Sequence, residues 1–109
     1  MKIFKPNEDG WFCGYWNDSP IQIKYSDNRP IKQEESHKHE FKEYYLIIEG
    51  NLTLEINKEE KTLSKLELLM VEPEELHKII DKSENCVYII IKEKSCKNNI
   101  WKTVFFAKS

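Results

Sequence analysis

The protein has three histidines, and they fall in two places: His37 and His39, separated by one residue, and His77. On an extended strand alternate side chains share a face, so His37 and His39 would stand about 6–7 Å apart along the chain, close enough for both imidazoles to meet one ion. Glu43 follows His39 by four residues, which is far enough for the chain to bend and bring a carboxylate oxygen to the same centre. His77, four residues after Pro73, would add a fourth donor from a strand across a barrel. Three imidazole nitrogens and one carboxylate oxygen suit a divalent first-row transition metal. Fe, Mn, Co, Ni, Cu and Zn are all admissible, whereas the nitrogen count disfavours Mg and Ca. The residue types and spacing therefore point to one metal site made of His37, His39, Glu43 and His77.

The segments that must position these residues are short and rich in Ile, Val, Tyr and Phe, which is the composition of strands. Ile21–Tyr25 and Leu52–Ile56 alternate apolar and polar residues with period two, so each should turn one face to a core. Gly50-Asn51 lies between Tyr44–Glu49 and Leu52–Ile56 and readily takes positive φ, which predicts that these two strands pair as a hairpin. Asn57-Lys58-Glu59-Glu60 makes the next turn. Lys61–Leu63, Leu68–Val71, Leu76–Ile80, Val87–Ile91 and Thr103–Phe106 continue a series of short strands, with 64–67 a turn between two of them. An aromatic strand, 11–16, precedes them, and Ser26–Pro30 reads as a loop. No segment carries a helical apolar stripe. The pattern is that of an all-β sandwich or barrel. If Glu43 points inward, alternation places Tyr45 and Ile47 inside as well, with Ile79 beside His77. Such an apolar wall with one phenol and a metal suits a small organic molecule that chelates through oxygen. Tyr45 is the candidate proton donor in it.

The run His37-Lys38-His39-Glu40-Phe41-Lys42-Glu43, followed by six residues and Gly50, resembles the first signature of the cupin superfamily. Val71-Glu72-Pro73-Glu74-Glu75-Leu76-His77 resembles the second. The resemblance covers about residues 21–91 and implies a small double-stranded β-helix, or jelly-roll, barrel with the metal inside, held by His37, His39, Glu43 and His77. Two positions depart from the usual pattern. No glycine opens the first signature between Ser26 and Ser36, and Leu66-Glu67 stands where a glycine-aspartate pair is common, so the turn at 64–67 should differ in shape. The superfamily hosts dioxygenases, isomerases and non-catalytic binding domains, so the fold alone does not choose among them. The reading is a metal-binding domain acting on a small oxygenated molecule by dioxygenase-like or sugar/keto-compound isomerase-like chemistry. The alternative is a binding or sensor module without turnover.

Length and charge set the remaining bounds. The 109 residues make one domain, with a core barrel at about 21–91 and terminal strands at 1–20 and 100–109. Seventeen basic against nineteen acidic side chains give a formal charge of −2, without the basic stripe that nucleic-acid binding requires. The interleaved runs Lys58–Lys61 and Lys92-Glu93-Lys94 read as solvated surface, and Arg29 is the lone arginine. The longest apolar runs, Tyr44–Ile48 and Val87–Ile91, fall far short of the ~20 residues of a membrane-spanning helix. Cys13, Cys86 and Cys96 are odd in number and lack CxxC spacing, which suits reduced thiols and a cytoplasmic location. Phe4, Trp11, Phe12, Tyr15 and Trp16 near one end, with Trp101, Phe105 and Phe106 near the other, exceed what so small a barrel encloses. They predict a symmetric homodimer that meets through the terminal strands.

Overall fold

The computed structural model describes residues 1–27 and 35–94, together with the course of the strand 103–105. Arg29, Cys96, Trp101 and Phe106 lie outside the described residues, as does the side chain of Phe105. Among the described residues ten strands follow in order: β1 (Trp11–Cys13), β2 (Gln22–Ser26), β3 (His37–His39), β4 (Glu43–Glu49), β5 (Leu52–Ile56), β6 (Glu59–Leu63), β7 (Leu68–Val71), β8 (His77–Lys82), β9 (Val87–Lys92) and β10 (Thr103–Phe105). They form two five-stranded sheets, ordered β1-β2-β9-β4-β7 and β10-β3-β8-β5-β6, with antiparallel pairing at each junction. This is the all-β double-stranded β-helix expected. One 3-10 turn, Tyr15–Asn17, replaces the end of the expected aromatic strand. Asn17 fixes it by accepting from the Gly14 N–H and donating to the Phe12 carbonyl.

Period-two alternation decides which residues meet between the sheets. Tyr45 and Ile47 from β4, Leu52 and Leu54 from β5, Val71 from β7, Ile79 from β8 and Tyr88 from β9 make the buried core, joined by Cys86. Tyr45, Ile47 and Ile79 are thus inside, as the alternation predicts. Cys13 and Cys86 are buried and form no disulfide. Two rows on the outward side of the first sheet are also apolar. Register aligns Tyr25, Ile89, Leu46 and Leu68 in one row and Ile23, Ile91, Tyr44 and Met70 in the next. No charge interrupts these eight positions.

The structure corrects the expected hairpin at Gly50-Asn51. β4 pairs with β9 and β7, and β5 pairs with β8 and β6, so the two strands lie in different sheets. Gly50 instead turns a corner from one sheet to the other, at φ 74. That corner is braced by another crossing, the β8–β9 turn: the Asn51 N–H donates to Ser83 Oγ at 2.9 Å and the Ser83 N–H to the Asn51 carbonyl at 3.0 Å. The local turn signal was correct, but inter-sheet packing decided what the turn connects. The true hairpin is β5–β6, and its turn is shorter than expected. Asn57 and Lys58 take φ 48 and 69, the doubly positive turn whose twist suits paired strands, and Glu59 and Glu60 fall in β6. At 64–67 the departure from the family pattern has a visible cost, because Leu66 adopts φ 63 where a glycine would be unstrained. Its N–H donates to the Ile47 carbonyl at 2.7 Å, and the Ile47 N–H donates to the Glu67 carbonyl.

Candidate metal centre

Three strands from both sheets deliver the four candidate ligands. In β3, alternation puts His37 and His39 on the inward face, with ring centroids 5.0 Å apart. His77 opens β8 directly opposite His37 in the β3–β8 register, and their rings lie 4.3 Å apart. Directly opposed residues on one face of an antiparallel pair have their Cβ atoms about 4.5–5.5 Å apart, which accounts for this closeness. Glu43 opens β4 in the other sheet and is 2% exposed. One ligand atom from each of the four lies within 4.8 Å of all the others. The structure therefore brings together every residue that the spacing singled out.

Hydrogen bonding orients the donors. The Nδ1 atoms of His37 and His77 stand 3.2 and 2.9 Å from the carbonyls of Glu35 and Glu75, each two residues earlier. Donation from Nδ1 to these carbonyls leaves each Nε2 to face the centre, an arrangement typical of imidazole metal ligands. Glu43 Oε1 accepts from the Tyr45 hydroxyl at 2.6 Å and lies 3.1 Å from His77 Nε2. Its Oε2 is 3.4 Å from His39 Nε2 and 3.9 Å from Lys92 Nζ. Phe41, buried at the start of the turn into β4, stacks on the His39 ring at 4.7 Å and 16°.

The ionisation states follow from these contacts. Burial pushes the Glu43 carboxyl upward, but the imidazoles of His39 and His77 against its two oxygens and the charge of Lys92 overturn this and hold it well below its ordinary range. His37 is lowered to about 4, first by burial and then by the neighbouring His77 and His39, against the raising effects of the Glu35 carbonyl and Glu43. A carboxylate that stays ionised and an imidazole that stays neutral are the forms in which metal ligands bind. The donor set thus fits a borderline divalent ion.

Sequence reasoning missed the surroundings of this cluster. Lys92, read as solvated surface, is register partner of both Glu43 and Gln22, and its side chain is 20% exposed. Lys24 and Trp11 also lie toward the barrel interior beside it, and both lysines stand over the Trp11 ring. The available signal was alternation: Lys92 is two residues beyond the inward Ile90, and Lys24 is flanked at i±2 by the buried Gln22 and Ser26. Among the described residues, no helix is long and apolar enough to cross a membrane.

The fold recurs widely. A Streptomyces protein solved with uridine superposes with a TM-score of 0.70 at 13% identity, covering 98% of this chain and 92% of that one. An RmlC-like cupin family protein with a double-stranded β-helix fold from Methanocaldococcus jannaschii gives 0.69 at 16% identity, covering 86% and 91%. A salicylate 1,2-dioxygenase from Pseudoaminobacter salicylatoxidans, solved with gentisate, gives 0.63 at 10% identity over 82% of this chain and 25% of that one. No curated protein matches by sequence. The cupin domain family model matches residues 29–92, more than half of the chain, including all four clustered ligands, and with the two facing sheets it establishes that the chain belongs to the cupin domain family.

Proposed function

We propose that this cupin holds one divalent first-row transition metal on His37, His39, Glu43 and His77 and acts there on a small oxygenated organic molecule. The convergence of three imidazoles and one ionised carboxylate inside 4.8 Å carries the reading. When bound, such an ion supplies Lewis-acid polarisation of a substrate oxygen or, for iron, chemistry with dioxygen. The residues do the rest. Tyr45 orients Glu43 through its hydroxyl, the Glu35 and Glu75 carbonyls orient two imidazoles, and Phe41 shields His39 from water. His37, the least buried of the four, marks the side from which a small molecule enters. The hydroxyl of Tyr45 is engaged by Glu43, so its role in this reading is to position a ligand.

Metal analysis after chelator treatment and reconstitution with Fe, Mn, Ni and Zn tests the site. One equivalent in the wild type and loss in His77→Ala are expected, and substoichiometric metal throughout refutes it. Oxygen uptake by the iron-loaded protein, and sugar and keto-acid panels with the Mn- or Zn-loaded protein, test turnover. Silence in every panel, with ligands still raising the melting temperature, would favour the non-catalytic binding module.

We also propose that the protein works as a homodimer in the cytoplasm. The observation that supports the dimer is the pair of apolar rows on the outer face of the first sheet, where Leu68 is 57% exposed. Two copies meeting on these rows bring no charges of the rows together, and Tyr15 and Trp16 beside β1 are further exposed aromatics. Light scattering at micromolar concentration should return twice 13.1 kDa and fall to the monomer mass in Leu68→Lys. A monomeric wild type refutes the dimer.

A further inference from the structure

Lys92 carries its charge on the inward side of the first sheet, and its place follows from register. It closes β9 with Gln22 of β2 on one side and Glu43 of β4 on the other. A lysine on an open face extends its ammonium into water. This one is flanked by two strands and its side chain is 20% exposed, with Nζ 3.9 Å from Glu43 Oε2 and 5.4 Å from the centroid of the Trp11 ring. Both neighbours attract a cation, the carboxylate by its charge and the indole by the negative face of its ring.

The two oxygens of Glu43 are engaged unequally. Oε1 accepts from the Tyr45 hydroxyl at 2.6 Å and lies 3.1 Å from His77 Nε2. The contacts of Oε2 are longer, 3.4 Å to His39 Nε2 and 3.9 Å to Lys92 Nζ. Oε2 is therefore the oxygen more readily given to an ion, and it is also the one beside the ammonium. While no ion is present, Lys92 supplies a buried carboxylate with a counter-charge and lowers the cost of burying it. Toward a divalent ion on the same carboxylate it acts in the opposite sense. It is then a like charge, kept close by the flanking strands and the indole, at a depth where screening by water and salt is weak. A residue that merely supported the frame would favour both states alike.

We propose that Lys92 competes with the metal for Glu43, steadying the carboxylate while no ion is bound and weakening the hold on an ion once one is. The proposal rests on the metal reading above. Lys92 is not a ligand in it and acts only through Glu43, so that the ion stays exchangeable and the metal-free site stays folded.

Lys92→Met keeps an unbranched apolar stem and removes the charge, while Lys92→Arg keeps the charge. The measurements, on the full chain, are the melting temperature of the metal-free protein and the zinc affinity by competition with a chelating dye. Lys92→Met should melt about 4–8 °C lower without metal, yet bind zinc at least about tenfold more tightly. Lys92→Arg should stay within about threefold of the wild-type zinc affinity. The opposite signs are the signature, because lost packing alone would weaken both properties. Should Lys92→Met fail to fold, Lys92→Gln gives the same two readings. Zinc affinity that is unchanged or weaker in the neutral variant, or that rises equally in Lys92→Arg, overturns the proposal and leaves the metal reading standing. An unchanged melting temperature of the metal-free neutral variant overturns it as well. Absence of zinc uptake from the wild type and the neutral variant alike overturns both readings, whereas uptake by the neutral variant alone supports the competition.

Discussion

Replacing Tyr45 with phenylalanine isolates a single bond at the centre of the site. Tyr45 is 2% exposed, and its hydroxyl donates to Glu43 Oε1 at 2.6 Å. The substitution keeps the ring and its edge-on approach to His77, with centroids 6.4 Å apart, and deletes only the donor. A hydrogen bond to a buried charged acceptor contributes about 1.5–3 kcal/mol. Glu43 Oε1 would retain His77 at 3.1 Å but lose its shortest partner, and burial would then push the carboxyl upward with less opposition. The metal-free variant should therefore lose about 1.5–3 kcal/mol in urea denaturation with an unchanged m-value. For a domain of this size that corresponds to a fall in Tm on the order of 10 °C. Because outer partners of a ligand tune its metal, affinity should also fall about 10–100-fold. A Tyr45→Phe protein equal to wild type in both measurements would refute the role assigned to the hydroxyl. Lost stability with unchanged metal affinity would show that the bond serves the fold alone.

Other perturbations probe the frame around the site. Leu66→Gly should stabilise the protein by about 0.5–1 kcal/mol, since it relieves about 1–2 kcal/mol of left-handed strain at φ 63 on a side chain that is mostly exposed and gives part of this back in unfolded-chain entropy; an unchanged or lower urea midpoint speaks against the strain. Gly50→Ala should destabilise by about 2–4 kcal/mol, because a Cβ there clashes with Ser83 Oγ and meets the Cys86 Cα at 2.9 Å at φ +74. Wild-type stability in that variant would show that the corner opens freely. In chelator, stability should decline as pH falls from 6.5 toward about 4, because across that window the unfolded His37 binds a proton that the folded one excludes. Below the ordinary carboxyl range Glu43 adds a further loss, its folded form being the weaker proton acceptor. His37→Gln should flatten the upper part of this decline, and an identical profile would remove His37 as its cause.

The four clustered donors were legible because their chemistry and their position are encoded at the same short range. His37, His39 and Glu43 fall within seven residues, and period two assigns His37 and His39 to one face of β3 and Glu43, Tyr45 and Ile47 to one face of β4. Sheet partnership was not legible at Gly50, because positive φ marks a turn without saying whether it joins neighbours in one sheet or crosses to the other. That choice belongs to Ser83 and Asn85, more than thirty residues later. Lys92 was misread for a related reason. A lysine between Ile91 and Glu93 looks solvated until a buried carboxylate is placed beside it, and Glu43 arrives from β4. The shift of Asn57 and Lys58 into a two-residue turn was within reach, but two further polar residues obscured where β6 begins.

The division of the ligands between sheets gives the site its character. His37, His39 and His77 belong to the second sheet and Glu43 to the first, so an ion bound to all four would join β3 and β8 to β4 across the core. An isolated carboxylate buried there would be expensive. The hydrogen bond from Tyr45 and the nearby charge of Lys92 offset that cost before any ion arrives, and the Tyr45 hydroxyl holds the carboxylate near the place where an ion would need it. The carbonyls of Glu35 and Glu75 do the same for two of the imidazoles from within their own chain segments. Because the groups that make the metal-free site tolerable also set its geometry, an ion would bind there with little reorganisation. Stability and the proposed metal binding would then rest on the same few contacts, and Tyr45→Phe should register in both.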